Sequence, residues 1–136
     1  MVPRRSFLIL LAGAPYSFAA PVDSVLRGKL VQHDGKPPAL ETADHRLVPL
    51  TGDDATRKVL DDKRIAGMEL EVTGHAASGG QFAIDRIETH SMIAIKDGKR
   101  YHVTYYCDVC AIRSFTPGLC VCCQQETRLD LIDPAQ

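Results

Sequence analysis

Five cysteines lie between Cys107 and Cys123, a window of 17 residues in a chain of 136. They read Cys107-Asp108-Val109-Cys110, then nine residues, then Cys120-Val121-Cys122-Cys123, which makes two Cys-x-x-Cys pairs with Cys122 as an extra thiol inside the second. A Cys-x-x-Cys turn points two thiolates at one centre, about 2.3 Å from a zinc ion, and two such turns facing each other give a tetrahedral four-sulfur site. Cys107, Cys110, Cys120 and Cys123 are the expected ligands, with Cys122 as an alternative or additional one. Pro117-Gly118 supplies the chain reversal that brings the second pair back over the first. Arg113 is expected to donate hydrogen bonds to sulfur and offset the thiolate charge, with Asp108 as the other group flanking the ligands; an arginine free in solvent is the alternative. His102, five residues before Cys107, could replace a thiolate but ranks below Cys123.

The competing chemistries differ in what they lack here. A c-type haem needs His directly after Cys-x-x-Cys, and Ala111 and Gln124 stand there instead. An iron–sulfur cluster is allowed by ligand count, yet neither common ferredoxin spacing is present. Copper(I) is favoured by soft thiolates and by the Cys120-x-Cys122 pair. Disulfides are the metal-free alternative in an oxidising compartment, but the count is odd and adjacent Cys122-Cys123 cannot bridge without backbone strain. A catalytic dithiol would want a βαβ context, which is missing. The cluster resembles zinc-ribbon and zinc-knuckle sites, although its spacer of nine residues is shorter than the ribbon spacing of about 15–20. That resemblance implies a structural zinc site. A closed four-thiolate site has no exchangeable position and performs no hydrolysis, so the expectation is a non-enzymatic protein whose metal organises the C-terminal tail for structure or for binding another protein. The alternative is a redox or electron-transfer protein using an iron–sulfur or copper centre or a Cys-x-x-Cys dithiol. Tyr101, Tyr105, Tyr106 and Phe115, half of the eight aromatics, are expected to wall the site off from water.

Elsewhere the chain is chemically quiet. It has no Gly-x-Ser-x-Gly elbow, no phosphate-cradling loop and no dinucleotide glycine fingerprint. Asp53-Asp54 and Asp61-Asp62 read as a solvated helix face, and His33, His45, His75 and His90 lack metal-pair spacing and read as surface loop or strand residues.

The elements that must carry the cysteines alternate like strands. Ser24–His33 ends in Asp34-Gly35; Ala39–Thr42 and Arg46–Leu50 flank a tight turn; Asp53 to Gly67 suits one helix of about three turns; Met68–His75 and Phe82–Ile87 flank Ser78-Gly79-Gly80. Three strands, a helix, then two strands is the layout of a five-stranded OB barrel, and Gly67–Gly74 with its following hairpin resembles small OB-fold domains of exported bacterial proteins. The resemblance implies a mainly β fold: an OB-like barrel over 20–92. A β-hairpin, Met92–Lys96 and Tyr101–Tyr106 around Asp97-Gly98, leads into the cysteine-rich tail of 93–136, and Glu126–Ile132 alternates as a last strand. A small open β-sandwich with one capping helix is the alternative. A barrel of this size fills its interior with side chains and leaves no cavity for a buried organic cofactor.

Residues 1–19 read as a signal peptide: Arg4 and Arg5, an apolar run too short to span a bilayer, then small residues with the cut after Ala19. Arg4-Arg5-Ser6-Phe7-Leu8 resembles the twin-arginine export signal. It implies transport of a folded protein with any cofactor already inserted, to the periplasm or the medium, and no membrane anchor after cleavage. An ordinary secretory leader is the alternative. Without Arg4 and Arg5 the 16 Lys+Arg fall to 14 against 17 Asp+Glu, a net charge of −3. With that charge, no tryptophan and one aromatic, Phe82, in 22–92, nucleic-acid binding is disfavoured.

Overall fold

The computed structural model describes residues 23–135; the leader read from the sequence lies outside them. Among the described residues nine strands and one α-helix follow in the order β1 Ser24–Val31, β2 Ala39–Glu41, β3 Leu47–Thr51, α1 Asp54–Leu60, β4 Glu69–Ala76, β5 Phe82–Ile84, β6 Met92–Lys96, β7 Lys99–Cys107, β8 Ile112–Ser114 and β9 Arg128–Ile132.

Five of these strands close a barrel. β1 pairs antiparallel with β2, β2 with β3 and β5 with β4, β4 returns to β1, and the circle is completed by a short parallel contact in which Leu50 and Thr51 of β3 lie beside Phe82 and Ala83 of β5. This is the closed, mainly β, OB-like architecture expected from the order of strands and helix. Period-two alternation fills it: on β4, Leu70 and Val72 are fully buried while Glu69 is exposed. Leu30, Leu40, Leu50, Ile84 and Ile87 join them in one core, each such side chain contributing roughly 1.5–3 kcal/mol by leaving water. Gly74 is required where β4 turns between β1 and β5, because a Cβ there would sit 1.9 Å from the Ala83 carbonyl oxygen.

Helix α1 caps the barrel. Asp53 accepts a hydrogen bond from the Thr56 amide at 2.8 Å, and Thr56, Val59 and Leu60 are buried against the core. The helix is two turns long rather than three. The Asp62 carboxylate takes the Arg64 amide at 3.0 Å and starts a separate 3₁₀ turn over Lys63–Ile65, so the segment from Asp53 to Gly67 is broken by its own capping residue.

The outer edge of β4 is shared. Its first half, Glu69–Val72, pairs with β6, and its second half, Gly74–Ala76, pairs with β5. Thr73 is the branch point: its amide donates to the Ser91 carbonyl at 2.8 Å and its carbonyl accepts from the Asp85 amide at 2.9 Å. β6 carries the sheet onward to β7 through the Asp97-Gly98 turn, whose positive φ values of 53° and 75° are those of a tight two-residue hairpin. β7 has β6 and then β8 along one edge and β9 along the other. Met92, Ala94, Val103 and Tyr105 belong to the same core as the barrel strands. Cys107, the last residue of β7, is thus delivered by a strand tied into that core.

Candidate metal centre

The sulfurs of Cys107, Cys110, Cys120 and Cys123 all lie within 4.8 Å of one another. Cys107 and Cys120 are buried; Cys110 and Cys123 are half-buried. The Cys107 and Cys123 sulfurs, one from each pair, are 3.5 Å apart. Two chain reversals produce this convergence, and they share their closing backbone bond and a left-handed residue, while the amide nearest the first sulfur sits three residues on in the first turn and two in the second. After Cys107 the chain turns so that the Ala111 amide donates to the Cys107 carbonyl at 2.9 Å; after Cys120 the Gln124 amide donates to the Cys120 carbonyl at 3.0 Å. Ala111 and Gln124 both take left-handed backbone, φ 54° and 63°. In each turn an amide points back at the first sulfur, Cys110 to Cys107 and Cys122 to Cys120, both at 3.4 Å.

Those amides matter electrostatically. N–H groups aimed at sulfur favour the thiolate, the form that binds metal. The amides of Cys123 and Cys122 hold the Cys120 thiol down at about 7. At Cys107 the Cys110 amide acts in the same sense, but burial and the Cys123 and Cys120 thiols outweigh it and push the group up. The Cys110 thiol is pushed up by the Cys122 thiol beside it, by burial and by Cys123. Thiols crowded in this way lose their protons readily only when a cation replaces them.

The second turn is held over the first by the loop between them. β8 pairs with the end of β7, with Cys107 opposite Ile112. The chain then bends at Gly118, which takes φ 133°, a conformation open to glycine. The Thr127 amide and hydroxyl both donate to the Gly118 carbonyl, at 3.0 and 2.9 Å, and Leu119 bridges to Glu126. Arg64, in the 3₁₀ turn after α1, donates to the Thr127 carbonyl at 2.8 Å and fastens the far end of the tail to the barrel.

The residues expected to flank the ligands act one step further back. Arg113 gives its hydrogen bonds to the Thr104 hydroxyl at 2.6 Å and to Asp130 at 2.7 Å, and lies over the Tyr106 ring at 4.8 Å; these partners, and not sulfur, satisfy its guanidinium. Asp108 takes Arg128 Nε on both carboxylate oxygens at 3.0 Å, and Arg128 also reaches Asp130 at 3.2 Å. Asp108, Arg128, Asp130 and Arg113 therefore form a chain of ion pairs that clamps the first turn to β7, β8 and β9. Asp130 and Arg128 are the members that sequence spacing did not reveal, since β9 must pair with β7 before they meet. The aromatics also serve the frame more than the sulfurs. Tyr105 is fully buried in the core beneath Arg64, and Phe115 packs on the core and on His90. His102 stacks on His90 with ring centroids 4.2 Å apart and is not part of the four-donor group. Cys122 is exposed; its thiol lies beside Cys110 but does not converge with the other three sulfurs.

Comparison with protein-family models, with curated proteins and with solved structures gives no match for this chain. The cysteine cluster on a closed five-stranded barrel is what defines the protein.

Proposed function

We propose that this is an exported, non-enzymatic metal-binding protein: an OB-fold barrel whose four-cysteine site holds one zinc ion and organises the C-terminal tail as a surface for another protein. One observation carries the reading: two turns place four cysteine sulfurs within 4.8 Å of one another, with an amide directed at the first sulfur of each. Four thiolates with no fifth donor in the group suit a structural site rather than one that activates water. The protein-binding element draws support from what the turns display. Val109, Leu119 and Val121 are 68%, 63% and 83% exposed on and beside the two turns, apolar side chains that a folded tail holds in water. The partner is a protein rather than a nucleic acid, given the acidic balance and the scarcity of aromatics over the barrel. The twin-arginine-like leader agrees with this assignment, because export of a folded chain carries metal-loaded thiols into the periplasm.

A redox reading, with an iron–sulfur cluster or copper at the same cysteines, is favoured by one feature: amides directed at sulfur stabilise thiolates around any soft metal. Metal analysis with thiol counting on anaerobically purified mature protein decides between them. One zinc per chain, lost in Cys110→Ser and in Cys120→Ser together with order in the tail, is the expected result. Iron with acid-labile sulfide, visible as colour, or copper would establish the second reading. Metal-free protein with two disulfides would overturn both.

A further inference from the structure

On the outer face of the barrel, away from the cysteines in sequence, a second set of donors converges. Asp23, His75 and Asp85 bring a carboxylate oxygen, an imidazole nitrogen and a second carboxylate oxygen within 4.8 Å of one another. Register is what assembles them. Ser24 of β1 and Ile84 of β5 both sit opposite Gly74 of β4, on its two sides. One residue back along β1 sets Asp23 against His75, and one residue on from β5 sets Asp85 against Thr73, where its amide donates to the Thr73 carbonyl at 2.9 Å. Leu70 and Val72 point into the core, so Thr73 and His75 point out, and the pleat places both aspartates on that same outer face. His75 and Asp85 are half-buried there and Asp23 is exposed.

Charge makes the arrangement informative. The other outward acids of β4 each meet an arginine: Glu69 pairs with Arg27 at 2.7 Å and Glu71 with Arg100 at 2.8 Å. At the next outward place beyond Thr73 the pattern inverts, and two aspartates face a histidine with no basic partner among the described residues. Arg86, the neighbour of Asp85, goes instead to Glu88 at 3.6 Å. Two carboxylates at this separation repel unless a positive charge, either a protonated His75 or a metal ion, lies beside them. One imidazole and two carboxylates on the outer face, one of them exposed, match a borderline first-row divalent ion rather than the soft ions that thiolates select.

We propose that Asp23, His75 and Asp85 form a second, hydrated metal site for a divalent ion of the Zn²⁺ class, independent of the cysteine cluster. Its test is calorimetric titration of Zn²⁺ into the mature chain, as isolated and after preloading with one equivalent. One further equivalent binds in the wild type and in Cys107→Ser. In His75→Ala and in Asp85→Asn its affinity falls at least tenfold. Both substitutions lie on the barrel surface, and unchanged melting temperatures establish that the fold is intact. As a second readout, Zn²⁺ shifts the His75 ring resonances in the wild-type NMR spectrum and leaves those of His33 in place. A titration with no equivalent beyond the cysteine cluster, an extra equivalent of unchanged affinity in both variants, or an unmoved His75 ring overturns the proposal. The Cys107→Ser arm keeps this result separate from the fate of the four-thiolate site.

Discussion

Removal of the metal under reducing conditions is predicted to release residues 108–126 while leaving the barrel folded. The segment has almost no core of its own: among its residues only Cys120 is buried, and Val109, Ile112, Leu119 and Val121 are exposed. Ordering its backbone costs roughly 1 kcal/mol per residue at the low end, so on the order of 20 kcal/mol for the whole segment. Its turn, bridge and ion-pair hydrogen bonds return about 1 kcal/mol each, which offsets only part of that cost. A structural zinc contributes about 10–16 kcal/mol in small thiolate and imidazole sites, a range that covers the remainder. Hydrogen exchange followed by mass spectrometry, with and without a strong chelator and with a phosphine reductant present throughout, reads the effect by segment. Amides of Cys110, Ala111, Cys120 and Gln124 are expected to lose protection by at least about a thousandfold, equivalent to ~4 kcal/mol. Amides of β1 and β4 keep theirs, because Leu30, Leu70 and Val72 stay packed without the tail. Protection of 108–126 that persists in the chelated, reduced protein would refute this reasoning, for it would mean that the hydrogen bonds alone hold the turns.

Three further outcomes follow from the same contacts. Gly74→Ala forces a Cβ to within 1.9 Å of the Ala83 carbonyl oxygen, so β5 must separate from β4; a loss of about 3 kcal/mol is expected, seen as a fall in melting temperature of at least about 10 °C, and a fall under about 2 °C would contradict it. Arg113, then Arg128, hold the Asp130 carboxyl below its ordinary range; a lowered folded-state value gives stability that is present above the unfolded value near 4 and lost as pH falls through the folded one. Urea midpoints should therefore drop between about pH 5 and pH 2 in the wild type, and less steeply in Asp130→Asn; parallel curves would count against the pairing. Cys122→Ser should keep full metal content and the same tail protection, since that thiol is exposed and outside the four-sulfur group; a variant that loses its metal makes Cys122 a ligand.

Strand alternation made β1 and β4 legible, since each places alternate side chains in the core, and turn residues did the same for the β2–β3 hairpin around Ala43-Asp44-His45 and the β6–β7 hairpin around Asp97-Gly98. The helix is shorter than its charged pattern suggests because Asp62 can either continue a charged helical face or cap a new turn, and the sequence pattern does not distinguish these; the bond to the Arg64 amide does. β8 is three residues long, with two of them exposed, and so carried no alternation to detect. The cysteine pairs announced their chemistry through spacing alone. The fate of Arg113 did not, because its competing acceptors, Thr104 and Asp130, are brought to it by β7 and β9. His75 was equally opaque, since Asp23 and Asp85 reach it only through the pairing of three strands.

X-ray absorption at the zinc edge of the purified, metal-loaded chain tests the central claim most directly. Four sulfur neighbours at about 2.3 Å and no nitrogen or oxygen in the first shell are the predicted result, with Cys107→Ser reducing the sulfur count. A shell of nitrogen and oxygen around the tightly held ion, or a chain that retains no metal while its cysteines are reduced, would contradict it.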